Sequence, residues 1–217
     1  MRPLFPPWAN SALWAVTIAL LTFALGVPIA IMVYVRTPYV TDRGKEVDQP
    51  VPFDHRHHVL DDGIDCLYCH YLADRSPWAG VPPTELCMNC HAQIWSDAPL
   101  LQPVRDSFFS GRPIPWKRVN RVADFVFFSH EVHVHRGVGC ASCHGRVDEM
   151  AAVHAAAPLQ MKWCLDCHRR PELHLRPLDQ ITNMDWAPPR EEQLRLGREL
   201  KERLSIVPPT SCTGCHR

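Results

Sequence analysis

Charge is missing from the start of this sequence: no Asp, Glu, Lys or Arg occurs between Pro3 and Val35. Elsewhere neither sign dominates. The 23 Lys and Arg balance 23 Asp and Glu, so nothing marks the chain for nucleic acid or for general attraction to acidic lipid. Ten glycines and four tyrosines against 21 prolines argue against a rich set of long helices and strands. No GxGxxG fingerprint, phosphate loop or zinc-protease motif is present. No cysteine stands outside one repeated pattern, which argues against a second kind of cofactor.

What is present is that pattern. All ten cysteines fall in five copies of C-x-x-C-H: Cys66/Cys69/His70, Cys87/Cys90/His91, Cys140/Cys143/His144, Cys164/Cys167/His168 and Cys212/Cys215/His216. This is the haem c attachment motif. Two thiols three residues apart reach the two vinyl groups of one porphyrin as thioethers, and the histidine that follows falls under the iron as proximal ligand. Zinc ribbons also use C-x-x-C, but a four-cysteine site consumes the pairs two at a time, and five pairs leave one over. A disulfide framework would not demand a histidine after every second cysteine.

Five covalent haem c groups in 217 residues leave each about forty residues of chain, too few to wrap in a conventional core. The expected fold class is a multihaem cytochrome c in which packed porphyrins form the core, wrapped by loops and short helices, with one N-terminal transmembrane helix.

The apolar run Ala12 to Val35 would be about 36 Å long as a helix, enough to span a bilayer. Trp8 and Trp14 at one end, and Tyr34 and Tyr39 at the other, suit interfacial belts. The run is too long for a signal-peptide core, so an uncleaved anchor is expected. Charge counting conflicts with chemistry here. Arg2 precedes the helix, whereas Arg36, Arg43 and Lys45 follow it, which would place the downstream side in the cytoplasm. Haem c attachment belongs to the outer side of the bacterial inner membrane, so the haem domain is expected in the periplasm.

An internal repeat is legible. Phe53-x-His55-x-x-His58-Val59 precedes the first motif and Phe128-x-His130-x-x-His133-Val134 the third, each followed by a glycine, Gly63 or Gly137. A further motif follows each at a similar distance. The expected organisation is a cytoplasmic N-terminus 1–11, a transmembrane helix 12–36, a tether 37–52 and a periplasmic pentahaem domain 53–217. That domain divides into dihaem units 53–98 and 128–176 and a terminal haem unit 177–217. Val81-Pro-Pro-Thr84 before the second motif echoes Val207-Pro-Pro-Thr210 before the fifth, and the proline pairs should hold the chain extended. Residues 113–124 read as an extended linker with a short edge strand. Arg190–Leu204 reads as an amphipathic helix with Leu196, Leu200 and Leu204 on one face and Glu199 and Arg203 spaced to pair.

Histidines at i and i+3 share a helix face and can project onto neighbouring irons. Cytochromes of the c3 and c7 types use F-x-H-x-x-H in this way, and on that resemblance His55, His58, His130 and His133 are assigned as four distal ligands. One vacancy remains. Met161, just before the fourth motif, offers a thioether. His154, His135 and His174 compete with it, and an open iron is a further alternative.

Taken together, "PFDHRHHV…DGIDCLYCH", "FVFFSHEVHV…GVGCASCHGRVDEM", "MKWCLDCHRRPE" and "PPTSCTGCHR" resemble the pentahaem cytochrome c subunit of alternative complex III, a bacterial quinol:electron-acceptor oxidoreductase. The resemblance implies an electron-transfer subunit, not catalytic alone, in the bacterial inner membrane. It would relay electrons from iron–sulfur clusters to a periplasmic acceptor. Implied partners are an iron–sulfur and molybdopterin-enzyme-like subunit, polytopic quinol-binding subunits and a monohaem cytochrome c. The competing readings are a stand-alone membrane-anchored quinol dehydrogenase and a multihaem reductase with one open haem.

Overall fold

The computed structural model describes residues 5–216. Arg2, which entered the orientation argument, lies outside the described residues, as do the rest of 1–4 and Arg217. The chain divides into two compact units, Met1–Asp42 and Arg43–Arg217.

The first unit is dominated by α1 (Ala9–Tyr34), 26 residues with a mean hydropathy of 2.5 over its most apolar window and no buried side chain. At 1.5 Å per residue it is about 39 Å long, so it is long and apolar enough to cross a membrane. It starts earlier than the apolar run because Asn10 and Ser11 join its first turn behind Pro6 and Pro7. Pro28 stays inside the helix. At the far end the Arg36 guanidinium donates to the Met32 carbonyl at 2.7 Å, answering one of the orphan acceptors of a helix C-terminus. A single turn, α2 (Pro38–Thr41), completes the unit.

The second unit begins at Arg43, so the stretch from there to residue 52, assigned from sequence to a tether, is fixed to its own fold. Gly44 N–H donates to Ala155 O at 2.9 Å, Glu46 forms a bridge with His154, and Val51 is buried. Among the described residues there is no β-strand of more than one bridge. The edge strand expected within 113–124 does not form. Instead the Gln49 side-chain amide serves both main-chain groups of Lys117, donating to its carbonyl at 2.8 Å and accepting from its N–H at 2.9 Å.

Every C-x-x-C lies on a helical turn: α3 (Cys66–Cys69), α4 (Thr84–His91), α7 (Ala141–His144, capped by Cys140), α8 (Met161–Arg169) and α10 (Cys212–Cys215). The turn is what places thiols i and i+3 on one face. Between these lie α5 (Gln102–Ser110), α6 (His130–His135) and α9 (Arg190–Arg203).

The two F-x-H-x-x-H segments differ by one residue, and the backbone records it. Four steps separate Val59 from Gly63, but three separate Val134 from Gly137. The extra residue turns Arg56–Asp61 into a π-helix where its counterpart α6 is an α-helix. Both glycines then reverse the chain in the left-handed region, at φ +67° and +82°. A Cβ at Gly137 would also stand 2.8 Å from the Arg176 carbonyl. Gly137→Ala should therefore destabilise the folded state by about 1–3 kcal/mol, which thermal unfolding of the haem-loaded chain will measure. A change within experimental error would contradict this placement.

The side-chain core is small. Leu175 and Leu200 are fully buried and pack with Ile206, flanked by Val138, Leu196 and Leu204. The leucine stripe expected on α9 thus faces inward. The ion pair formed along this helix is Arg195–Glu199 at 3.8 Å rather than Glu199 with Arg203.

Candidate functional site

The histidines of the repeat are presented by matching aromatic clamps. Phe53 stacks on His58 (centroids 4.4 Å apart, planes 24°) and meets His55 edge-on (4.7 Å, 82°). Phe128 does the same to His133 (4.6 Å, 28°) and His130 (4.8 Å, 86°). The phenylalanine of the motif is therefore a positioning group, and its repetition in the sequence was the signal for it.

Three of these histidines are brought to the C-x-x-C-H histidine of a motif in their own repeat. His58 faces His91 with ring centroids 6.1 Å apart, His130 faces His144 at 6.3 Å, and His133 faces His168 at 6.1 Å. Beyond the effect of burial, His70 lies close enough to His55 for its charge to hold the His55 pKa down. Metal–imidazole bonds of about 2 Å on either side, added to the depth of two rings, require about 6 Å between centroids. These three separations would leave room for an iron between the two rings of each pair.

The hydrogen bonds of Nδ1 strengthen the fit. His58 donates to Asp54 O (3.0 Å), His91 to Ile94 O (3.0 Å), His130 to Pro77 O (3.0 Å), His133 to Ser129 O (2.7 Å) and His168 to Pro209 O (2.7 Å). His70 bonds to the Gly80 main chain. A carbonyl can only accept, so Nδ1 carries the proton and Nε2 keeps its lone pair, the tautomer expected of a ligating histidine. Burial, then the neighbouring histidines His70 and His58, brings His55 down to about 4. Burial, then His130 and His70, does the same to His144. Both imidazoles are thereby held neutral at ordinary pH, as a ligand must be.

The histidines next to these are used differently. His135 spends Nε2 on the Asp74 carbonyl at 2.8 Å, and His57 pairs through Nδ1 with Asp61 at 2.9 Å on the surface. His154 sits in the Glu46 bridge with a buried, unpartnered Nδ1, and His174 follows the Pro171–Leu173 turn beside Arg176. The ring packed on His216 is Phe125, at 5.6 Å. Met161 opens α8, one turn before Cys164 and on the same face, and its side chain is exposed.

The thiols define a line of neighbours. Cys69 is raised by burial and then by Cys87 and Cys90. Cys66 and Cys140 share a hydrogen bond that raises the first and lowers the second. Burial, then Cys167, Cys164 and Cys140, pushes Cys143 up to about 12, and Cys164 is raised by burial and then by Cys215. The motifs therefore adjoin in the spatial order second, first, third, fourth, fifth. Among the described residues no three His, Cys, Asp or Glu side chains converge as a metal cluster, and none of the ten cysteines is paired in a disulfide.

Residues 126–217 match the family of cytochrome c7 and related cytochrome c. That stretch is similar to c7-like multihaem cytochromes, a likeness that implies covalent haem c at the motifs it contains. The chain is also 37% identical over 98 residues to the multihaem cytochrome c subunit of a menaquinone reductase from Nitratidesulfovibrio vulgaris strain Hildenborough. The similarity covers 45% of this chain and 46% of the relative, so the chain spans about half the length of that relative.

Proposed function

We propose that this chain is the pentahaem electron-transfer subunit of a membrane quinol oxidoreductase, of the kind found in alternative complex III. The observation that carries the reading is the unbroken line of five C-x-x-C-H motifs, three of them with a second histidine facing the first and a fourth whose His70 acts electrostatically on His55. Covalent haem at each motif would supply reversible one-electron carriage along that line. His70 with His55, His91 with His58, His144 with His130 and His168 with His133 would hold four irons, and His216 the fifth. Met161 is assigned as the partner of His216, because Cys164, one turn further along α8, adjoins Cys215.

The chain's own residues fix orientation and charge. Nδ1–H bonds to main-chain carbonyls aim Nε2 of His58, His91, His130, His133 and His168, Phe53 and Phe128 hold the paired rings apart, and burial keeps His55 and His144 neutral. The helix α1 would anchor the chain in the bacterial inner membrane, with residues 53–217 on the periplasmic side. A quinone-linked complex is supported by the name of the N. vulgaris relative, a subunit of a menaquinone reductase. Its other members here would be an iron–sulfur and molybdopterin-enzyme-like subunit, polytopic quinol-binding subunits and a monohaem cytochrome c, delivering to a periplasmic acceptor. A lone helix has little capacity to build a buried quinol pocket, which favours relay over quinol oxidation by this chain alone.

Gentle detergent extraction and affinity purification, with intact-mass, iron and acid-labile sulfide measurements, test this. The expected result is a chain five haem masses heavier than its sequence, co-purifying with polytopic and iron–sulfur subunits that together oxidise quinol. A chain that emerges alone and still oxidises quinol or reduces a nitrogen oxide would overturn the reading.

A further inference from the structure

Of the ligand-face histidines whose Nδ1 partner is recorded, His144 alone leans on a side chain. Its Nδ1 is 3.1 Å from Nδ2 of Asn120, while the other end of the same amide, Asn120 Oδ1, is buried without a partner. Both facts have one cause. Two nitrogens that both carry hydrogen do not bond, and a buried carbonyl oxygen left without a donor is unfavourable. Turning the amide over about its last side-chain torsion exchanges atoms of nearly equal size and removes both defects. Oδ1 then accepts the Nδ1–H of His144, and Nε2 of that ring keeps its lone pair.

We infer that Asn120 is a positioning residue for the third haem site, setting the tautomer, orientation and basicity of His144 through a side-chain hydrogen bond that the other sites make with backbone. The inference rests on reading His144 as an iron ligand. It gives the 113–124 segment a role that its lack of strand structure left open: it carries an adjustable acceptor to the middle of the motif line. The acceptors of His58, His91, His130, His133 and His168 are main-chain carbonyls, which substitution cannot alter in kind. At His144 one side-chain change varies the strength of the bond. A stronger acceptor draws the Nδ1 proton away and makes the ring a better donor to oxidised iron, and loss of the acceptor does the reverse.

Asn120→Asp, Asn120→Ala and Asn120→Ser in the purified haem-loaded chain test it by redox titration and low-temperature electron paramagnetic resonance. The expected result is a midpoint shift confined to one haem, downward for Asp and upward for Ala, with Ser between Ala and the native protein. One low-spin signal should change and the remainder stay. A residue that merely ties the linker to the domain would lower thermal stability in all three variants without shifts of opposite sign. Should Asp fail to fold, an unshifted titration in both Ala and Ser overturns the proposal by itself. A shift for Asp of the same sign as that for Ala overturns it too, as do shifts spread over several haems. The haem count and the low-spin signals of the native chain test the ligand reading separately, so failure of the one is distinguishable from failure of the other.

Discussion

His133→Ala is expected to convert one haem from six-coordinate and low-spin to five-coordinate and high-spin, while His135→Ala, two residues along the same helix, leaves the spectrum unchanged. The two histidines are alike in sequence and opposite in use. His133 is stacked on Phe128, bonds through Nδ1 to Ser129 O and faces His168 across 6.1 Å. His135 has its Nε2, the atom a ligand would need, occupied by the Asp74 carbonyl. Removing His133 opens a coordination position in a buried site, so the reduced protein should bind carbon monoxide at about one further haem per chain. The midpoint of that haem should rise, since a strong donor to the oxidised iron is lost. The same contrast holds in the first repeat, with His58→Ala active and His57→Ala silent. Carbon monoxide difference spectra and electron paramagnetic resonance read both outcomes. A His135→Ala variant that gained a carbon monoxide site, or a His133→Ala variant that did not, would refute the pairing.

Much of the candidate site was legible because the C-x-x-C-H spacing is a local pattern. The spacing of Cys66, Cys69 and His70 is the spacing of one helical turn, and the chemistry needs nothing from elsewhere in the chain. The i,i+3 histidines were legible for the same reason. Which iron each would face was not, since the answer depends on where residues 33 to 35 positions further on return in space: His58 to His91 and His133 to His168. The duplicated phenylalanine marked the repeat, but its use as a ring clamp became clear only from the interplanar angles.

The rest was hidden by range. The contact between Cys66 and Cys140 joins residues more than seventy positions apart and puts the first and third motifs side by side, so spatial order departs from sequence order. Asn120 lies in a stretch with no periodicity, and nothing in its neighbours announces the histidine it meets. The single inserted residue after His58 could be counted in the sequence. Its absorption by a π-helix leaves the histidine spacing intact, so Phe53 holds both rings in the arrangement Phe128 gives the second repeat.

Leu200→Ala should be the most damaging single substitution away from the haem motifs, costing about 2–5 kcal/mol. Its side chain has no exposed surface and fills the centre of the cluster with Leu175 and Ile206. The site cannot collapse to close the cavity, because α9 is held at its present distance by other contacts. At Gly197 a Cβ would overlap the Glu172 carbonyl, so the helix already lies on the Pro171–Leu173 turn at backbone distance. Gln193 donates to Glu172 O and Leu175 O, and Lys201 pairs with Glu172 at 3.5 Å. Arg136, directly after α6, donates to Leu204 O at the end of α9. The helix thus ties the segment following His168 to the segment following His133, and loosening it should weaken the pairing of those two rings. For a chain of this size the midpoint of thermal unfolding should fall by roughly 4–20 °C, with high-spin character appearing below the main transition. Leu196→Ala, at the partly buried edge of the cluster, should cost distinctly less. If Leu200→Ala lies within about 0.5 kcal/mol of the native chain, as an ordinary surface change would, α9 is not what holds the fourth site together.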